Sequence, residues 1–210
     1  MARAISQKLA SLYPAEVGSA CKTVSRSEFK NLFRDGEYSP VYGELTVEGG
    51  LALLEHAFSQ FQSSARPALV DLGSGIGRFC VASVLSHGDR LREIHGVELS
   101  RARHELACEA LAELNSRDPS KASLLKFHSM NILEFPLTLP GPVLVYCASL
   151  TFSADVITAL QDRIERQCVE GSLIYTCREF SESFALNQVD TIAVETSWSP
   201  NTALHVYSHQ

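Results

Sequence analysis

The sequence predicts an α/β protein: one mainly parallel sheet with helices on both faces, closed by a C-terminal antiparallel hairpin. Three observations predict it. Short apolar runs alternate with stretches of helical periodicity from Ala68 to Cys177. A glycine loop, Gly73-Ser74-Gly75-Ile76-Gly77, joins the first run directly to a helical stretch. The last two apolar segments, Thr191 to Thr196 and Ala203 to Tyr207, have no helix between them. Trp198-Ser199-Pro200-Asn201 reads as their turn, so they pair antiparallel.

The elements follow in order. Residues 1–37 read as a helical or irregular lead-in, with Phe29, Leu32 and Phe33 as an apolar stripe, and residues 38–210 as one domain. Tyr38-Ser39-Pro40-Val41-Tyr42-Gly43-Glu44 is a loop by its proline and glycine. Leu51, Leu54, Ala57, Phe58 and Phe61 mark one face of a helix. Ala68 to Leu72 is the first buried strand. Phe79, Cys80, Val84 and Leu85 then recur at helical spacing until Gly88. Ile94 to Val97 is the second strand and ends in an acid, Glu98. Ser100 caps a helix bearing Leu106, Ala107, Ala110, Leu111 and Leu114. Asn115 to Lys121, polar and holding a proline, reads as a loop. Leu124 to Phe127 is the third strand and leads to Met130-Asn131-Ile132, and Pro136 to Pro142 is a linker. Val143 to Cys147 is the fourth strand. Ser153 opens a helix with Val156, Ile157, Leu160 and Ile164, and Leu173 to Cys177 is the fifth strand.

Composition narrows the function classes. The chain has 210 residues, 45% apolar and 20% charged, ordinary for one globular domain. No apolar run approaches the roughly 20 residues of a membrane helix. A net charge of −6 argues against strong intrinsic DNA binding, and Arg101 with Arg103 reads as one solvated helix face. The six cysteines form no C-x-x-C pair, and several lie on apolar faces, so they read as reduced core residues of a nuclear or cytoplasmic protein. His205 and His209 do not suggest a metal site in a strand pattern. Met1 to Ser11 carries Arg and Lys without acid, but lacks the apolar core of a secretory signal, and an organelle-targeting tract is the minor reading.

In a sheet of this kind, ligands lie beyond the carboxyl ends of the strands. That rim holds Gly73, Glu98, Asn131 and Ala148-Ser149, from four different strands. Glycines let a ligand approach the backbone, and the following helix start offers N–H groups. Glu98, roughly twenty residues past the loop, is placed to accept both hydroxyls of a ribose. A tight turn with no ligand is the plain alternative, and the spacing of Glu98 weighs against it. The pattern is G-x-G-x-G rather than the dinucleotide fingerprint, and Asp71 just before it would repel a pyrophosphate. An acid there suits the ammonium of S-adenosylmethionine.

A parallel sheet with a closing hairpin is also the layout of class I methyltransferases. Val41-Tyr42-Gly43-Glu44, Asp71 to Gly77, Gly96-Val97-Glu98, Phe152-Ser153-Ala154-Asp155-Val156 and Ser197-Trp198 together resemble the disruptor-of-telomeric-silencing family. Those are histone-lysine methyltransferases of the class I fold, not the SET fold. The resemblance implies a cofactor set of Tyr42, Glu44, Asp71, Gly73, Ser74, Gly75, Glu98, Leu99, Asn131, Ile132 and Ala148. Within it, Tyr42 and Glu44 would close over the methionine end, and Asn131 and Ile132 would meet the adenine. It further implies a lysine channel of Tyr38, Phe152, Trp198 and Tyr207, with Ser149 beside it. The chain departs from that family at Ala148-Ser149, where relatives have two asparagines, at Asn131 for an aspartate and at Leu45 for a threonine. It also has no counterpart of the basic DNA-holding segment.

Transfer to lysine needs the neutral amine, which from a pKa of about 10.4 costs roughly 4–5 kcal/mol at pH 7. A dry aromatic channel supplies part of this by disfavouring the ammonium. Taken without the resemblance, Phe152 and Trp198 read as ordinary core. Three functions are therefore expected in turn: a protein-lysine methyltransferase whose partner is a protein substrate such as histone, a methyltransferase of the same fold acting on a small molecule or non-histone protein, and a non-catalytic cofactor-binding subunit.

Overall fold

The computed structural model describes residues 1–13, 27–28, 30, 41–61 and 66–210. The expected stripe of Phe29, Leu32 and Phe33 and the channel residue Tyr38 lie outside them. Seven strands form one sheet in the order β3-β2-β1-β4-β5-β7-β6. They are β1 (Ala68–Leu72), β2 (Glu93–Glu98), β3 (Leu125–Ser129), β4 (Val143–Cys147), β5 (Leu173–Thr176), β6 (Leu186–Thr196) and β7 (Ser199–His209). The first five are parallel, and β7 enters antiparallel beside β5.

Strand β1 is central and buried along its whole length. Its side chains alternate between two cores, as the pleat requires. Leu69 joins Ile94 and Leu144 on one face, where α1 (Ala2–Leu12), α2 (Val47–Gln60), α3 (Arg78–His87) and α4 (Arg101–Arg117) contribute. Val70 and Leu72 join Val145 and Ile174 on the other. A short helix, α5 (Pro119–Ala122), follows α4, and α6 (Ala154–Gln167) covers that second face with Val156, Ile157, Leu160 and Ile164. The serine caps form as expected: Ser100 Oγ accepts from Arg103 N–H, and Ser153 Oγ from Val156 N–H.

Three sequence expectations need correction. Residues 115–121 are helical: α4 runs to Arg117, and Asp118 caps α5 with Pro119 in its first turn, where proline lacks no needed N–H. The hairpin is longer and its turn tighter, since Thr196 pairs with Ser199 and only Ser197-Trp198 turns the chain. Pro200 is tolerated in β7 because it falls in the register shift between the Val194–Thr202 and Thr196–Ser199 pairs, on a stretch that β5, paired only with His205 to Ser208, does not reach. Within the expected helical or irregular lead-in, residues 2–12 are a helix whose Ile5, Leu9 and Leu12 are buried in the first core, with Tyr13 beside them. Finally, Arg101 and Arg103 do not share a solvated face. Arg101 is exposed and paired with Glu105, whereas Arg103 is 5% exposed. Two positions apart on a helix is about 200° of rotation, nearly opposite sides.

Candidate active site

A cleft opens beyond the carboxyl ends of β1, β2 and β4. Its walls include Leu72, Gly73, Gly75, Glu98, Leu99, Ile132 and Ala148, with Tyr42, Phe152 and Trp198. A smaller cavity shares Tyr42, Gly73, Gly75 and Ala148 and reaches inward to Glu44, Asp71, Ser74 and Arg78.

The glycine loop is fixed from β2. Gly73 N–H and Ser74 N–H both donate to the Val97 carbonyl, at 2.8 and 3.0 Å. Gly75 N–H donates to Glu98 Oε2 at 2.8 Å, and Ser100 N–H donates to Glu98 Oε1 at 2.7 Å. These loop amides, expected to face a ligand, are therefore already engaged by protein acceptors, which does not suit a phosphate. Glu98 carries a structural task that the sequence did not suggest, tying the loop to the start of α4. Each carboxylate oxygen keeps a further lone pair for a hydroxyl. Burial pushes the Glu98 carboxyl above the usual range, against the pull of those amides and the nearby Arg103.

Residues 41–46 form a strap across the loop. The strap is held to the β6–β7 hairpin: Ser197 N–H donates to Glu44 O at 2.8 Å, Glu44 N–H to Ser197 Oγ at 3.1 Å, and Leu45 bridges Thr196. Tyr42 lies against Gly75, where an added Cβ would sit 2.7 Å from the ring. Its hydroxyl donates to Glu44 Oε2 at 2.7 Å, and Arg78 Nη1 donates to Glu44 Oε1 at 3.0 Å. The Arg103 guanidinium lies 5.1 Å from the Tyr42 ring centroid. At the inner end, Asp71 is buried against Cys80, whose Sγ donates to Asp71 Oδ2 at 3.6 Å. Burial pushes the Asp71 carboxyl up to about 7.

Of the expected channel, Phe152 and Trp198 do line the cleft, and Trp198 is 42% exposed rather than core. Tyr207 does not line it. Its ring is buried in the second core, and its hydroxyl accepts from Phe180 N–H at 2.8 Å. An inward position on β7 is set by strand alternation, which the sequence resemblance could not resolve. Ser149 is likewise no cleft residue: it is fully buried, hydrogen-bonded to Thr176 Oγ1 at 2.6 Å and accepting from Arg178 N–H at 3.0 Å. Asn131 supports rather than lines the cleft, its Oδ1 accepting from Leu133 N–H at 2.9 Å in the turn that presents Ile132. Sequence reasoning missed Arg78, Arg103, Leu150 and Thr151. The arginine after the glycine loop was a readable signal, whereas the inward turn of Arg103 was not.

No family model matches the chain, and no curated protein does. Solved structures do. An rRNA methyltransferase, AviRa from Streptomyces viridochromogenes, superposes with a TM-score of 0.58 at 14% identity over 90% of this chain and 94% of that one. A methyltransferase from Geobacter sulfurreducens gives 0.56 at 14% identity, over 78% and 80%. Magnesium protoporphyrin IX methyltransferase from Synechocystis PCC 6803, solved with bound SAM, gives 0.53 at 9% identity, over 79% and 81%. The fold is that of the class I methyltransferases. At such identities the likeness speaks for the fold alone, and those neighbours' acceptors are their own.

Proposed function

We propose that the chain is a methyltransferase dependent on S-adenosylmethionine, acting on a small molecule or a non-histone protein. The observation that carries this reading is the convergence of Asp71, the glycine loop and Glu98 on two adjoining cavities at the strand ends, which share Tyr42, Gly73, Gly75 and Ala148 as walls. The donor set fits the cofactor chemically. A buried carboxyl at Asp71 suits an ammonium, Glu98 retains lone pairs for ribose hydroxyls, and Ile132 offers an apolar face to a base. When bound, the cofactor supplies a methyl group activated on a sulfonium.

The residues of the chain do the rest. Tyr42, held by Glu44, covers the glycine loop and restricts water there. Phe152, Leu150 and Trp198 give the acceptor an apolar wall that orients it and favours its neutral form. Val41, Leu150 and Trp198 are all exposed at this cleft, which suits an acceptor with apolar surface.

A protein lysine is the second reading, favoured by Phe152 and Trp198 standing at the same cleft as the family resemblance implies. It is weakened by Tyr207 and Ser149, which serve the core instead. The test is incubation with methyl-labelled cofactor, a small-molecule extract, cytosolic protein and histones. Label in small molecules or non-histone protein is the expected result. Label on histone lysine alone would replace it by the second reading, and cofactor binding without transfer to any acceptor would leave a non-catalytic binding subunit. Trp198→Ala should lose transfer with cofactor affinity nearly intact. A collapse in melting temperature with loss of cofactor binding would make Trp198 structural.

A further inference from the structure

Arg178 follows the exit of β5, half-buried, and grips the stretch that leaves β4 at two points. Its side-chain Nη1 donates to the Phe152 carbonyl at 2.5 Å. Its backbone N–H donates to Ser149 Oγ at 3.0 Å, and that hydroxyl is itself bonded to Thr176 Oγ1 at 2.6 Å. Between the two grips the chain makes one tight turn, Ser149–Thr151, closed by Phe152 N–H donating to the Ser149 carbonyl at 3.1 Å. The turn presents Leu150, Thr151 and Phe152 to the cleft.

A bond from a guanidinium to a carbonyl is charge-assisted, and so shorter and stronger than a neutral one. Fixing a carbonyl fixes its whole peptide plane, and with it the direction in which the side chain leaves the backbone. Phe152 is extended there, with φ −83° and ψ 147°. Its ring tip reaches the glycine loop: a Cβ at Gly73 would lie 3.7 Å from Phe152 Cζ. Phe152 thus stands where the glycine loop meets the apolar wall it forms with Leu150 and Trp198. Arg178 itself lines neither cavity, so whatever it does for the site it does through this turn.

We propose that Arg178 is a positioning residue for methyl transfer: it sets Phe152 against the glycine loop and so places the acceptor in line with the methyl group. The inference rests on the methyltransferase reading above and deepens it on the acceptor side. It also gives Ala148-Ser149 a task. Where the resembling family has two asparagines, this chain has a small residue lining the cleft and a serine turned inward to receive Arg178 N–H. Transfer is steep in geometry, and a displacement of about 1 Å costs up to about a hundredfold in rate. A residue that acts only by placing Phe152 governs the limiting rate and leaves cofactor affinity alone.

The test follows label from methyl-labelled S-adenosylmethionine into a small-molecule extract and cytosolic protein over a range of cofactor concentrations. Calorimetric affinity for S-adenosylmethionine and melting temperature are measured on the same proteins. Arg178→Met keeps the packing of the stem and removes the donors. It should lower the limiting rate of transfer by roughly ten- to hundredfold, with the half-saturating cofactor concentration and the calorimetric affinity within about twofold of wild type. Arg178→Lys, which keeps one charged donor for the Phe152 carbonyl, should restore most of the rate. An undiminished rate in Arg178→Met, or a lysine variant no faster than the methionine one, overturns the role of Arg178. Failure of Arg178→Met to fold, or cofactor affinity falling in step with the rate, makes Arg178 structural and overturns it equally. Each of these leaves the methyltransferase reading standing, because wild type still transfers label. Cofactor binding by wild type with no transfer to either fraction overturns both.

Discussion

Asp71 concentrates the residue-scale physics of the site. It sits on the central strand, 3% exposed, with burial pushing its carboxyl up to about 7 and the Glu98 carboxyl adding to the rise. A raised carboxyl in the folded state contributes stability at low pH, where it is protonated, and loses it as pH rises through the folded pKa. The ligand-free protein should therefore lose stability between about pH 4 and 7, by at most about 4 kcal/mol, and be flat above. Asp71→Asn should remove that slope. Binding of a cationic amino acid group has the opposite sign, because it needs the ionised form: affinity should fall as pH drops from 7.5 to 5.5 in wild type but not in Asp71→Asn. Denaturant titrations and calorimetry at these pH values check both. An identical slope in the variant would remove Asp71 from the ligand site. The acid before the loop was readable from sequence, but its unusual titration was not, since it arises from burial within the fold and from the Glu98 carboxyl, against the pull of the Cys80 hydrogen bond.

At the scale of elements, the candidate site is a contact between the strap at 41–46, the glycine loop and the β6–β7 turn. None of these holds its shape alone. Gly75 has a φ of +56°, and a Cβ there would lie 2.7 Å from Tyr42. Gly75→Ala should thus cost about 1–2 kcal/mol in backbone strain and also displace the strap. Cofactor affinity should fall in Gly75→Ala and in Tyr42→Ala, and the double variant should lose much less than the sum, because the clash vanishes with the ring. Additive losses would mean that strap and loop act independently. Local pattern revealed the loop and the strap's irregularity. Their meeting depends on Ser197 and Thr196, about 150 residues away, whose bonds to Glu44 and Leu45 no local pattern encodes.

For the whole molecule, charge is decided by distribution as much as by sum. The net charge is −6, and many basic side chains are neutralised locally: Arg92 and Lys126 by Glu93, Arg117 by Glu113, Lys121 by Asp118. The protein should bind bare duplex DNA weakly and with a shallow salt slope. A gel-shift titration giving submicromolar affinity that falls steeply with salt would contradict this. At the same scale, α1 packs as part of the domain's first core, and Tyr13 Oη donates to the Ile76 carbonyl of the glycine loop at 2.9 Å. Helix α1 and Tyr13 thus brace the glycine loop from the first core.

The sequence by itself determined the alternation of strands and helices, the terminal hairpin, the glycine loop and the acids Asp71 and Glu98. These are written in short-range period and spacing, so 3.6- and 2-residue repeats and a glycine at a positive φ suffice to read them. Only the tertiary structure decided which side chains on those elements reach the cleft. It turned Arg103 inward and left Arg101 in water, kept Trp198 and Phe152 at the mouth, and sent Tyr207 and Ser149 to the core. The reason is that a side chain's direction is fixed by the pleat, the helix phase and the neighbours it meets across the fold, and one residue of register reverses it.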